Sequence, residues 1–141
     1  MVDKILILRK LSELSEYMDQ IEEYRSLTVD TYASDWKTQR VVERTLQVMI
    51  EVCVDISGHI VSDSGYRVPK TYADSFRVLY ENKVINEELC RKMESMAKFR
   101  NVVVHQYDKV DVRIVVGILQ KHLSDFSDYK EAVLAFIGGK G

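Results

Sequence analysis

The chain has 141 residues, of which 46% are hydrophobic and 30% charged, a composition typical of a folded soluble protein and not of a disordered chain. A single proline and six glycines leave few helix breakers, which favours long helices over a sheet protein with many turns. The net charge of −2 excludes a generally basic nucleic-acid binder but leaves room for a local basic patch. We therefore expect one all-α domain over residues 1–141.

The first two predicted helices are long and amphipathic. Apolar residues recur at spacings of three and four over about 2–26, which is the stripe of an amphipathic helix. A polar stretch at 28–35 interrupts this pattern and offers Ser34 or Asp35 as the N-cap of a second helix over about 36–61. The second helix is apolar around much of its circumference, so it lies at the centre of a bundle or against another subunit.

A loop at 62–70 separates these helices from the next two. Thr71 and Asp74 have the spacing of a capping box and predict a short helix that reaches about Glu81. Asn86, which precedes two glutamates, predicts the start of another helix because acidic residues favour the positive end of the helix dipole.

That helix runs into the segment 97-AKFRNVVVHQYDKVD-111 and ends in a turn at 108–111. Asp111 can cap a last amphipathic helix, which Gly138 and Gly139 end. The predicted architecture is an all-α antiparallel bundle of about four main helices plus one short helix. Cys53 and Cys90 lack metal-binding or redox spacing and are expected to be reduced and buried, as in a cytoplasmic protein. Neither a signal peptide nor a membrane span is expected.

The spacing of the histidines argues against a metal or cofactor site. Di-iron bundles use Glu-x-x-His pairs, but apolar residues stand three positions before His59, His105 and His122. The sequence has no clustered Cys/His set and no glycine-rich phosphate loop. We therefore expect no cofactor, and the last of these histidines is interpreted as a surface residue.

Glu51, Asp55 and His59 recur every four residues and so share one face of the second long helix. This face is either a polar stripe turned to solvent or to another subunit, or one wall of a polar cleft. In a cleft, Glu51 or Asp55 could hold an arginine or orient a histidine through charge-assisted hydrogen bonds.

The segment 97–111 combines an arginine, a histidine and a tyrosine around three valines. Arg100 and His105 are five residues apart, about 140° around a helix, so they converge poorly within one straight helix. Convergence improves if the helix frays or if a second copy supplies the partner group. An arginine binds phosphate through its planar fork, and a histidine exchanges protons near neutrality. The pair could cleave RNA without metal, or it could be structural, with Arg100 in an ion pair and His105 capping carbonyls.

The run from Arg100 through Asn101 and His105 to Tyr107 resembles the R-x4-H-x-Y motif of HEPN-domain proteins. With its flanking segments and helix pattern, the chain is similar over essentially its whole length to HepT-like HEPN ribonucleases, the toxins of the HepT–MntA toxin–antitoxin type. The resemblance implies an all-helical homodimer whose two motifs face each other across an interface cleft and cut RNA without metal.

The resemblance also implies roles for individual residues. Arg100 would bind the scissile phosphate and His105 would act as general acid and base, giving a 2′,3′-cyclic phosphate product. Asn101 would support the motif. Tyr107 would be adenylylated by a cognate MntA-like nucleotidyltransferase antitoxin, which would block RNA by bulk and charge. Supporting roles for Glu51 and Asp55 are our own inference.

A second hypothesis is a non-catalytic helical dimer that serves as a binding module for a nucleotidyltransferase. Because the chain is acidic overall, RNA binding would depend on a local basic patch. The candidates besides Arg100 are Arg91, Lys92, Lys98, Lys109 and Arg113.

Overall fold

A computed structural model describes residues 2–139, which form seven α-helices and no strand. The helices are α1 (Lys4–Ile21), α2 (Val29–Ala33), α3 (Trp36–Ser64), α4 (Tyr72–Glu81), α5 (Glu87–His105), α6 (Val112–Lys121) and α7 (Ser124–Ile137). Short 3-10 turns occupy Glu22–Tyr24 and Tyr107–Lys109. The predicted all-α class is therefore confirmed, with more helices than the expected five.

Local capping explains where several helices begin. The side chains of Asp35, Thr71 and Asn86 each accept a hydrogen bond from the backbone N–H three residues later, at 2.8–3.1 Å. The carboxylate of Asp111 accepts from the N–H of Arg113 at 2.8 Å. These bonds satisfy N–H groups that have no partner inside the helix, so the predicted starts of α3 to α6 are confirmed.

Two predictions about helix boundaries were wrong. The polar stretch 28–35 contains the short helix α2, which Thr28 caps and which buries Tyr32 against the core. The expected single last helix is divided into α6 and α7 at His122 and Leu123. The two halves pack on different partners, α6 on α2 and α7 on α1 and α5, so one straight helix could not bury both apolar faces.

Helix α3 is the centre of the bundle and packs against α1, α2, α4 and α5. Its buried apolar residues include Val42, Leu46, Met49, Cys53, Ile56 and Ile60. By length and composition α3 resembles a membrane span, but half of its most apolar stretch is buried inside the fold. Cys53 and Cys90 are free and buried, as predicted. One edge of α3 remains polar, and the candidate site lies along it.

Candidate active site

Arg100 of α5 is held by Glu51 of α3. One carboxylate oxygen of Glu51, Oε2, accepts hydrogen bonds from Nε of Arg100 at 2.9 Å and from Nη2 at 2.7 Å. Only 14% of the arginine side chain is exposed, so this is a partly desolvated ion pair and not a loose surface contact. Of the two carboxylates on the polar stripe of α3, Glu51 is the one that holds an arginine.

The Arg100 guanidinium also lies over an aromatic ring. Its Cζ atom is 4.7 Å from the centre of the Tyr72 ring, at the start of α4, a distance at which a cation is attracted to the ring. Nη1 also donates to Oδ1 of Asn101 at 3.3 Å. An arginine has five N–H donors, so these contacts leave donors on Nη1 and Nη2 for an incoming anion.

The environment of Glu51 favours its charged form, which binds a cation. Partial burial by itself raises the pKa of this carboxyl, but hydrogen bonds from Gln47 and Arg100 outweigh that effect and hold the pKa below its usual value. Gln47 donates from Nε2 to the same Oε2 atom at 3.1 Å. Glu51 is therefore ionised at neutral pH, with three donors on one oxygen.

Asp55 does not reach this cluster. Its carboxylate is 2.5 Å from Nζ of Lys10 on α1 and 3.6 Å from Nε2 of His59. Half of the Asp55 side chain is exposed. The two carboxylates of the predicted stripe therefore bind different cations. Glu51 binds Arg100 of α5, and Asp55 binds Lys10 of α1.

Arg100 and His105 do not meet within the chain. Helix α5 continues through His105, and the N–H of Gln106 still bonds to the carbonyl of Val102 at 2.8 Å. The angle of about 140° between positions five apart therefore holds. Arg100 points towards α3 and α4, whereas the exposed His105 side chain forms no hydrogen bond with residues 2–139. Helix fraying does not bring the pair together in this structure.

Tyr107 lies just beyond the end of α5, at the start of a 3-10 turn. Two thirds of the residue is exposed, and its hydroxyl has no partner among the described residues. Between Arg100 and this turn, Val103 is buried and anchors the helix, while Asn101 is exposed and contacts Arg100. A modifying enzyme could reach the phenol oxygen without unfolding any helix.

The residues of the predicted basic patch differ in whether they form ion pairs. Arg91 and Lys92 each pair with a glutamate one turn earlier on α5, and Lys92 also approaches the buried Asp125 at 3.8 Å. Lys98, Lys109 and Arg113 form no ion pair within residues 2–139. The last three therefore keep their charge available for a phosphate backbone.

Two contacts of Arg100 and Glu51 were not predicted. Gln47 stands four residues before Glu51, so helical spacing alone could have suggested that contact. Tyr72 begins another helix, and nothing in its surroundings in the sequence indicates that it meets Arg100. No group of three or more His, Cys, Asp or Glu suited to a metal ion occurs in the described part of the chain.

Comparison with known proteins decides the family. Residues 14–133 match the model of the family described as "Ribonuclease HepT-like". The chain belongs to the HepT-like ribonuclease family. The match covers most of the chain, including α3, the whole of α5 and the R-x4-H-x-Y segment. The resemblance based on that segment is therefore confirmed.

Two curated relatives are similar over nearly their full lengths. The mRNA nuclease HepT of Shewanella oneidensis is 28% identical over 130 residues, which cover 92% of this chain and 97% of the relative. The tRNA nuclease HepT of Aphanizomenon flos-aquae is 24% identical over 136 residues, covering 96% of this chain and 92% of the relative. Both HepT-like relatives are nucleases, and the RNA class in their names differs.

Solved structures agree with the family assignment. A tri-AMPylated HEPN toxin of Shewanella oneidensis, in complex with an MNT antitoxin, superposes with a TM-score of 0.85 at 29% identity. That match covers 96% of this chain and 99% of the other. The cytosolic protein YutE of Bacillus subtilis matches with a TM-score of 0.81 at 18% identity, covering 99% and 93%, and shares the fold. The HepT-like chain thus has the HEPN fold.

Proposed function

We propose that this protein is the ribonuclease toxin of a toxin–antitoxin pair, and that two copies of the chain complete its active site. One observation supports this most strongly: Arg100 is fixed with unused donors on one side of α5, and His105 is exposed on another side. Since one helix cannot bring them together, a two-fold dimer whose α5 helices face each other would place the arginine of one copy near the histidine of its partner. Each chain would be a single domain acting in the cytoplasm.

The reaction needs only an arginine, a histidine and the RNA itself. Arg100 binds the non-bridging oxygens of the scissile phosphate with its free N–H donors and stabilises the charge that develops there. The 2′-hydroxyl attacks the phosphorus as His105 accepts its proton, and the bond from phosphorus to the 5′-oxygen breaks. A protonated imidazole supplies the proton of the leaving 5′-hydroxyl. The products are a 2′,3′-cyclic phosphate and a free 5′-hydroxyl end.

Tyr107 gives this site a control point. Transfer of AMP to its phenol oxygen would add bulk and negative charge two residues from His105, where both oppose the entry of RNA. The similar Shewanella oneidensis toxin is tri-AMPylated and was solved with an MNT antitoxin. We infer that the partner of this chain is a nucleotidyltransferase antitoxin and that Tyr107 is its target.

The decisive experiment incubates the purified protein with RNA in EDTA, beside the His105→Ala and Arg100→Ala variants, and then analyses the RNA ends. Cyclic phosphate ends produced only by the parent are expected. The His105→Ala variant should keep the parent's oligomeric state in sedimentation, since His105 is exposed and forms no hydrogen bond within the described residues. If a variant cuts RNA as fast as the parent, the catalytic assignment fails. If the parent binds a nucleotidyltransferase but never cuts RNA, the chain is a non-catalytic binding module.

A further inference from the structure

An apolar hollow lies between α5 and the segment that leads into α6. Its volume is about 400 Å³, within the range of clefts that hold small ligands, about 300–1,000 Å³. The surface of its wall is mostly apolar, and a lysine stands on each of the two segments. The main lining residues are Lys98, Phe99, Val102, Lys109, Val110 and Ile114.

The hollow lies on the His105 side of α5 and not on the Arg100 side. Lys98 precedes His105 by seven residues, so the two side chains are about 20° apart around the helix axis, and Val102 is about 60° from His105. Arg100 is about 140° away in the opposite sense. The segment from Lys109 to Val110 follows directly after the turn that carries Tyr107. The hollow therefore shares a side of α5 with His105, which does not itself line it.

The charges around the hollow favour an anionic strand. Lys98 and Lys109 line it and form no ion pair with any of residues 2–139, and the same holds for Arg113, which is exposed on the first turn of α6. The single carboxylate in the wall, Asp111, is engaged as the N-cap of α6. Apolar walls between unpaired cations are the combination that single-stranded RNA requires, because its bases stack on apolar or aromatic surfaces and its phosphates need neutralisation.

We propose that this hollow is a nucleobase subsite, which holds the base of a nucleotide beside the scissile phosphate. The proposal rests on the proposed ribonuclease function and adds to it a place where the substrate strand is bound. A second hollow of about 380 Å³ shares Ser95, Phe99 and Ile114 with the first and continues along α5 towards His122. The strand would leave the active site along this groove.

The test measures the affinity of the full-length protein for a short 2′-O-methyl oligouridylate, which cannot be cut, and for an abasic strand of the same length and charge. Fluorescence anisotropy at several salt concentrations separates stacking from phosphate contacts. Ile114→Gln replaces an apolar side chain in the wall of the hollow with a polar one. Because Ile114 is 55% exposed, the substitution should not destabilise the fold. Val68→Gln makes a comparable change at an exposed loop residue outside the hollow and serves as the control.

Ile114→Gln should weaken binding of the base-bearing strand about fivefold or more and leave binding of the abasic strand unchanged. Lys98→Gln should weaken both strands and lower the salt slope by about one. The Val68→Gln control should match the parent with both strands.

The subsite proposal alone is overturned if the parent cuts RNA in EDTA while Ile114→Gln binds both strands as the parent does. It is also overturned if Ile114→Gln alters the oligomeric state or nucleotidyltransferase binding without changing RNA affinity, because the groove would then be a protein interface. If the parent neither binds nor cuts RNA, the proposed function fails and the subsite fails with it.

Discussion

Glu51 and Arg100 are 49 residues apart in the sequence, yet a single carboxylate oxygen accepts both the Nε and the Nη2 hydrogen of the arginine. The guanidinium also lies over the ring of Tyr72, which belongs to a third helix. Three helices therefore determine the orientation of one side chain before any substrate arrives. Such pre-organisation is what a group that stabilises developing charge requires.

Glu51→Gln should lower the turnover rate of RNA cleavage about 10- to 100-fold, because a small misplacement of a binding group has a large kinetic effect. RNA affinity should not fall, since the substitution removes a negative charge beside the phosphate site. Single-turnover cleavage and anisotropy measure the two quantities separately. Asp55→Asn makes the same charge change one turn away, where the partner is Lys10, and should keep parental turnover. Equal losses in both variants would contradict a positioning role for Glu51.

Tyr72→Ala should reduce kcat/KM for RNA about two- to fivefold, the effect expected for loss of a partly exposed cation–π contact. Tyr72→Phe keeps the ring and should retain nearly parental activity. The comparison of these two variants isolates the ring face from the hydroxyl. If Tyr72→Phe loses as much activity as Tyr72→Ala, the hydroxyl and not the ring supports Arg100.

Tyr107→Phe should prevent adenylylation by the cognate nucleotidyltransferase and leave RNA cleavage intact, because the exposed ring remains and only the acceptor oxygen is lost. In cells, the variant should inhibit growth even when the antitoxin is present. Mass spectrometry of the protein after incubation with the transferase and ATP measures the modification. Tyr24→Phe removes the hydroxyl of a half-buried tyrosine outside the segment 97–111; it serves as the control and should accept AMP as the parent does. Normal AMP uptake by Tyr107→Phe would exclude this tyrosine as the main target.

Asp74→Asn should destabilise the fold at neutral pH, and the difference from the parent should shrink in acid. Hydrogen bonds from Arg67, with a further one from the Lys70 N–H, lower the pKa of Asp74 to about 2 from its usual 3.8. A carboxyl whose pKa is lower in the folded state stabilises the fold above pH 3.8, and this contribution disappears as the pH falls towards 2.

Urea unfolding of parent and variant at pH values from about 7 down to about 3 measures this difference. Asp19→Asn is the control, because Asp19 is exposed on α1 and forms no ion pair with residues 2–139. A destabilisation by Asp74→Asn that stays constant across this pH range would show that the charge of Asp74 is not its cause.

Short-range features of the fold were predictable. Thr71 and Asn86 cap helices through bonds to residues three positions later, and such bonds depend only on neighbours in the sequence. The break between α6 and α7 could not be predicted from the sequence, since His122 and Leu123 are residue types that occur commonly inside helices. It arises because the two halves pack on different helices, which is a property of the whole bundle.

By itself, the sequence determined the helical class, most helix starts, and the arginine–histidine spacing that leads to the family. Each of these depends on residues within a few helical turns of one another, where geometry is set by the helix. The tertiary structure decided which carboxylate meets Arg100, the contact of Tyr72 with its guanidinium, and the position of the apolar hollow on the His105 side of α5. These pairings join residues on separate helices, and only the packing of the common core brings them within contact distance.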